Sequence, residues 1–459
     1  MVLLIKNGLL VTMDAQRRIL RGEVVVDGDR IVEVGKGDAG GAYKPEKVID
    51  ARGSIVMPGL ICAHTHLYGM LLRGASLNIV PPTDFSQILQ RVWWPMDEAM
   101  TREDAYASAL VGCLEFLKTG TTCFADTYSG PNSVDLSLDH IAKAVKEVGI
   151  RGILAYEVTE RHSSEEGERG VAENVRFIEK IARGGMDKVK GMFSLHASFT
   201  LSDQLMEKVR RLADKYRVPL TIHTSEGLGD LYHNMERYGK RTVERLHDLG
   251  LLKPDVVLAH CVQLNEDEIG ILKKTGAKVA HNPMSNMLNA VGVAPVKAML
   301  REGITVGLGN DGYIFDGFEN IRAAFLLHKV HHRDPRVMDP QTVLEMATVK
   351  GAEMYGLDQE LGSLEAGKKA DIIVVKPDVL PTPLTPESVL GHLVNTVDGD
   401  DVQTVIVDGE ILMENRRVLT VEEEKVNAVS QKAAEELWRR LSAIKPHVEY
   451  PKPAASGGE

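Results

Sequence analysis

The feature that most restricts how this chain can fold is a series of eight short apolar runs between residues 57 and 360, most of them ending in a polar or ionisable side chain. The run ends are His64, Asp126, Glu157, His196, His223, His260, His281 and Asp311. Between most of them lie segments of helical periodicity, such as EDAYASALVGCLEFLKT and SDQLMEKVRRLADKY. Short apolar runs bounded by turns read as strands buried on both faces, and their alternation with helices points to a parallel α/β architecture. Eight such units predict a (β/α)8 TIM barrel, whose strand ends converge at one mouth and carry its chemistry. An open doubly wound sheet would not need functional groups at nearly every strand end, and no GxGxxG follows the early strands.

The two ends of the chain have a different texture. KNGLLVTMD, GEVVVDGDRIVEVG and, late in the chain, KKADIIVVKPD and VQTVIVDGEILMENRR are β-branched runs broken by turn dipeptides such as Asn7-Gly8, Asp27-Gly28 and Asp408-Gly409. They predict one small β-sandwich domain made from both termini, residues 1–56 with 361–420, and a barrel inserted between them over 57–360. Residues 421–444 carry helix-favouring types with helical periodicity, and the Pro/Gly-rich end is expected to be a loose tail, so 421–459 reads as a C-terminal helix and tail.

A net charge of −11 argues against nucleic acid as the partner, because phosphate binding requires a basic face. No stretch is long and apolar enough to span a membrane. The N-terminal run lacks the pattern of a signal peptide, and four cysteines without regular spacing point to a reducing compartment. The expected setting is therefore cytoplasmic, with a small-molecule substrate.

His64-Thr65-His66 closes the first barrel run, and residues two apart on a strand face the same way. Taken with His223 at the end of the fifth run and Asp311 at the end of the eighth, this is three imidazoles and one carboxylate. That donor set suits one divalent ion, Zn2+ first and Fe2+ second, with room for a water molecule. Glu226, three residues after His223, is placed for acid–base work on that water without binding the metal. His260 is either a further ligand or a group that orients the attacking oxygen, and Asp311 can act as both ligand and proton acceptor. The fourth run carries lysine only at its start, Lys188 and Lys190, which argues for one metal and not a lysine-bridged pair.

These motifs, with VIDARGSIVMPGLICAHTH, KTGTTCFAD, IHTSE, LAHC, VAHNPMSNMLNAVGVAPV, GLGNDG and LGSLEAGKKADIIVV, resemble the amidohydrolase superfamily in its mononuclear deaminase and chlorohydrolase branch. The resemblance implies His64, His66, His223 and Asp311 as ligands, Glu226 as the acid–base glutamate, His260 beside the attacking hydroxide and His196 facing substrate. It also implies a homodimer or larger homo-oligomer. The reaction expected from it is deamination of an aminated nitrogen heterocycle (purine, pyrimidine, pterin or triazine) by a metal-bound hydroxide, releasing ammonia. The alternatives are hydrolysis of a cyclic amide, an s-triazine-type dechlorination and, with all four ligand positions filled, least of all a catalytically silent scaffold. Two departures from the pattern stand out. Trp94-Pro95-Met96-Asp97 carries Asp where adenosyl deaminases usually have Glu, which weighs against a nucleoside, and Asn310 precedes Asp311 in place of Thr or Ser.

Trp93 and Trp94 are candidates to stack on a flat ring, Asp97 to contact substrate, and Asn282, Ser285 and Asn286 to line the pocket. Tyr128 and Glu157 are further candidates for substrate contact. Arg73 and Pro81-Pro82 read as structural, His331-His332 as solvated surface, and Cys62 and Cys261, one residue out of phase with the inward set, as core packing.

Overall fold

A computed structural model describes residues 1–37, 43–77, 79–378 and 380–444; the expected tail beyond them lies outside the described residues. In chain order the strands are β1 Val2–Val11, β2 Ile19–Asp27, β3 Arg30–Gly35, β4 Lys47–Asp50, β5 Ile55–Pro58, β6 Leu60–Thr65, β7 Thr121–Tyr128, β8 Arg151–Val158 and β9 Val189–Gly191. They continue as β10 Phe193–Ala197, β11 Leu220–Thr224, β12 Val256–His260, β13 Lys278–His281, β14 Val306–Leu308, β15 Ile372–Val375, β16 Val402–Val407, β17 Glu410–Glu414 and β18 Arg417–Val418.

β6, β7, β8 and β10 to β14 form the expected parallel barrel, with the short β9 pairing on β8. Closure runs between β14 and β6. The Asn310 N–H donates to the His64 carbonyl at 3.0 Å, and the His66 N–H donates to the Asp311 carbonyl at 3.0 Å. Gly309 permits this approach, since a Cβ there would lie 2.7 Å from the His64 carbonyl oxygen and 2.3 Å from Asn282 Oδ1. Both termini meet in one second sheet, ordered β18-β17-β16-β15-β5-β1-β2-β3 with β4 pairing on β1. The seam is β5 against β15, antiparallel from Ile55↔Val375 to Pro58↔Ile372.

The barrel separates two apolar zones. Ile61, Ala63, Cys123, Ala125, Ile153 and Val257 fill its interior, while the outward residues of the same strands join the larger core shared with the helices. Cys62 and Cys261 fall in that outer core, packed as expected. A register irregularity between Cys62 and Thr65 then turns the end of β6, which brings His64 to the barrel mouth. His331 is exposed as expected. His332 departs from the surface reading: it stacks on the fully buried His328 with ring centroids 6.4 Å apart, because a four-residue step places both on one helix face.

Among the described residues no helix is long and apolar enough to cross a membrane. The C-terminal helix Glu423–Leu441 lies along the barrel helix Arg102–Lys118, burying Val426, Leu437 and Leu441.

Candidate metal centre and adjoining cavity

The strand ends bring His64, His66, His223 and Asp311 together, with one ligand atom of each within 4.8 Å of all the others. His66 Nδ1 donates to the Thr127 carbonyl at 2.8 Å, and His223 Nδ1 donates to the His196 carbonyl at 2.8 Å. With both Nδ1 protons committed to backbone, the Nε2 lone pairs point at one another, 3.1 Å apart. His64 Nε2 is buried without a hydrogen bond, 3.3 Å from Asp311 Oδ1, and the same oxygen is 3.2 Å from His66 Nε2. Acceptor atoms crowded in this way require positive charge between them, and a divalent ion with three nitrogen donors and one oxygen donor meets the requirement.

The electrostatics express the same demand. Burial would keep His66 neutral, but the hydrogen bond and charge of Asp311 push it up to about 10. Burial opposes the charge on Asp311 as well, yet the His64 and His66 rings against it outweigh that and hold the carboxyl well below the usual carboxylate range. Its other oxygen accepts from Ser285 Oγ. The backbone is strained at this end: His260 has φ 73° and Asp311 φ 64°, a left-handed conformation that side-chained residues rarely adopt.

Glu226 and His260 form a second cluster with Asp311. Glu226 Oε2 is 3.4 Å from His260 Nε2, and its Oε1 accepts from Asn289 Nδ2 at 3.4 Å. Burial and the neighbouring Asp311 charge raise the Glu226 carboxyl well above its ordinary range, which favours its protonated form. His260 is brought down to about 4, chiefly by burial. The sequence left open whether His260 is a ligand; its Nε2 faces Glu226 while lying 3.9 Å from Asp311 Oδ1.

A cavity of about 210 Å3 opens onto these groups. Trp93, Trp94, Asp97 and His196 line it, as does Glu157, and the described lining residues include no lysine or arginine. Trp93 Nε1 donates to Tyr313 Oη at 3.0 Å, and its ring lies tilted at 46° to that of His66. Asp97 accepts from Ser129 Oγ and pairs with Arg161, both at 3.0 Å; burial raises it to about 6. Asn286 does not line the cavity: it is fully buried, and its Oδ1 accepts from His260 Nδ1 at 2.9 Å. Its place in the helix Pro283–Leu288 sets it against the His260 ring and outside the cavity lining, where a substrate contact was expected.

Three contributors escaped the sequence reading. Asn289 connects Glu226, Ser285 and Tyr313, and its position four residues after Ser285 was a usable signal. Tyr313 and Arg161 lie in irregular segments and offered none.

The amidohydrolase family model matches residues 55–412. A 5'-deoxyadenosine deaminase of Methanosarcina mazei is 40% identical over 96% of this chain and 99% of its own length. A 5-methylthioadenosine/S-adenosylhomocysteine deaminase of Thermococcus onnurineus is 39% identical over 91% of this chain and 95% of its own. Among solved structures, an adenosine deaminase from Xanthomonas campestris with bound zinc superposes with a TM-score of 0.87 at 26% identity, covering 96% of this chain and 99% of that one. A mutant atrazine chlorohydrolase from Arthrobacter aurescens TC1, complexed with zinc and atraton, gives 0.84 at 26% identity, covering 94% and 100%.

Proposed function

The chain belongs to the amidohydrolase family, and on that premise we propose that it is a metal-dependent aminohydrolase that removes the ring amino group of an adenosine-type nucleoside. The substrate amine and water become the ring carbonyl compound and ammonia. The observation that carries this reading is Glu226: a buried carboxyl at the mouth of an apolar cavity, beside a cluster of ligand atoms that calls for a cation. The similarity to two kinds of adenosine-compound deaminase supports a nucleoside over the other heterocycles, and it outweighs the shortening of Glu to Asp at Asp97.

His64, His66, His223 and Asp311 would hold the ion, with zinc favoured by the three nitrogen donors and by the zinc in similar structures. Such an ion acidifies a coordinated water and so supplies a nucleophile at neutral pH. The remaining work falls to the chain. Trp93 and Trp94 offer flat faces for the base. Glu226 holds a proton at its carboxyl that a ring nitrogen beside the amino-bearing carbon can take; the carboxylate left can then accept a proton from the attacking water and pass it to the departing amine. Neutral His260, fixed through Nδ1 by Asn286, presents Nε2 to that carboxyl and to the attacking oxygen. Ionised Asp311 is the remaining proton acceptor.

The test is ammonia release and mass change with 5'-deoxyadenosine, methylthioadenosine, S-adenosylhomocysteine, guanine and a chlorinated triazine. Turnover of an adenosine compound with loss of the amine and gain of oxygen is expected. Turnover of the triazine alone, with chloride release, would replace this reading with dechlorination.

A further inference from the structure

One wall of the cavity is built by a single excursion of the chain, the segment that leaves the barrel after His66 and returns at the helix Arg102–Lys118. Phe85, Leu89, Trp93, Trp94 and Asp97 all face the cavity from it. Its helical part, Phe85–Ile88 running through a π turn at Leu89–Trp93 into Trp94–Ala99, is a single irregular stretch of a length that is marginal by itself. What holds its roots lies at the far end of the sequence.

The C-terminal helix grips both roots by their backbone. Trp438 Nε1 donates to the Leu71 carbonyl at 2.7 Å, in the turn where the excursion begins. Arg440 Nε donates to the Ala99 carbonyl at 2.9 Å, where it ends. The same guanidinium pairs with Asp104, a carboxylate that also accepts from the Thr101 N–H and Oγ1 at 2.8 Å and so caps the helix Arg102–Lys118. At its other end the clamping helix is pinned by Glu423 to Lys118 at 2.5 Å. Neither Trp438 nor Arg440 lines the cavity.

We propose that the C-terminal helix is a positioning element for substrate binding, with Trp438 and Arg440 as the positioning residues that hold the aromatic wall against the metal cluster. A loop fixed at both roots samples fewer arrangements, so Trp93, Trp94 and Asp97 are presented ready-made instead of being ordered by the substrate. The inference rests on the proposed function only in taking this cavity as the substrate site. It predicts an effect on KM more than on kcat, because Glu226, His260 and the ligand cluster sit on barrel strand ends that the helix does not touch.

The experiment compares wild type with Trp438→Phe, Arg440→Gln and the double variant in the full chain. Trp438→Phe keeps an aromatic ring and removes the donor; Arg440→Gln removes the charge and the fork. Hydrogen–deuterium exchange read by mass spectrometry is expected to rise tenfold or more across residues 73–99, with peptides from β10 to β13 unchanged. KM for the best adenosine substrate is expected to rise five- to tenfold, with kcat within twofold. Unchanged exchange across 73–99, faster exchange spread evenly over the barrel, or a loosened wall with unmoved KM would each overturn the inference. Absence of deamination by the wild type is a different failure: it overturns the proposed function, and the exchange result still decides whether the helix orders the wall.

Discussion

Two clusters of charged groups lie at opposite ends of the barrel, one buried and one partly so, and they are built on opposite rules. At the mouth, His64, His66, His223 and Asp311 crowd lone pairs toward a common point, on a backbone strained at His260 and Asp311. At the other end, Arg151 at the start of β8 meets Asp371 through two bonds of 2.8 and 3.0 Å and Asp408 through one of 2.8 Å, while Lys369 reaches Asp408 at 3.0 Å. There each charge meets its opposite, and the cluster joins the barrel to the terminal sheet. The first arrangement lacks internal compensation and is poised for something added; the second is complete and serves as a joint. Burial and charge alone do not distinguish a site from a joint, but the pairing pattern does.

The predictions break this contrast from either side. Glu226→Gln keeps shape and removes the proton relay, so kcat should fall by about 10^2–10^4 with unchanged melting, read by ammonia release and calorimetry. Arg151→Ala should do the reverse. Stranding the buried Asp371 should cost about 3–5 kcal/mol in denaturant unfolding, with kcat of the folded protein within twofold. Ser285→Ala removes the hydrogen bond to Asp311 and should weaken metal affinity by about 10–100-fold in competition with a chelator, without loss of fold.

The smallest effect concerns a third buried group, the pair His281 and His328, whose Nε2 atoms are 3.1 Å apart. Burial and the neighbouring His332 and His331 hold His328 down to about 4, whereas an unfolded histidine titrates near ~6.5. The unfolded chain therefore takes up the proton first as pH falls. The stabilisation from keeping this ring neutral is full above about pH 6.5 and is lost progressively toward about pH 4. Melting temperature should drop across that window, and His328→Gln should flatten the drop; an unaltered slope would remove this pair from the account.

The barrel was legible because strands buried on both faces leave long apolar runs, and because a mouth needs polar residues where those runs end. The four residues that converge there, His64, His66, His223 and Asp311, were legible for the same reason: each sits at or within three residues of a strand end, as Asp311 does after β14. The wall over the cavity was not. Its tryptophans were visible as candidates, but its short helices carry little periodicity, and its anchors Trp438 and Arg440 lie more than 300 residues away in sequence. Asn286 was misplaced because residue type tells that an amide sits near the mouth and not whether it faces the cavity or the back of His260. Asn289 and Tyr313 matter only through a chain of hydrogen bonds that folding assembles.

The most direct test of the central claim is to strip the protein with a chelator and titrate zinc back while following ammonia release from 5'-deoxyadenosine. The account predicts no turnover in the stripped protein and full recovery at one zinc per chain in wild type, with no recovery in Asp311→Asn. Turnover without metal, or recovery in that variant equal to wild type, would contradict it.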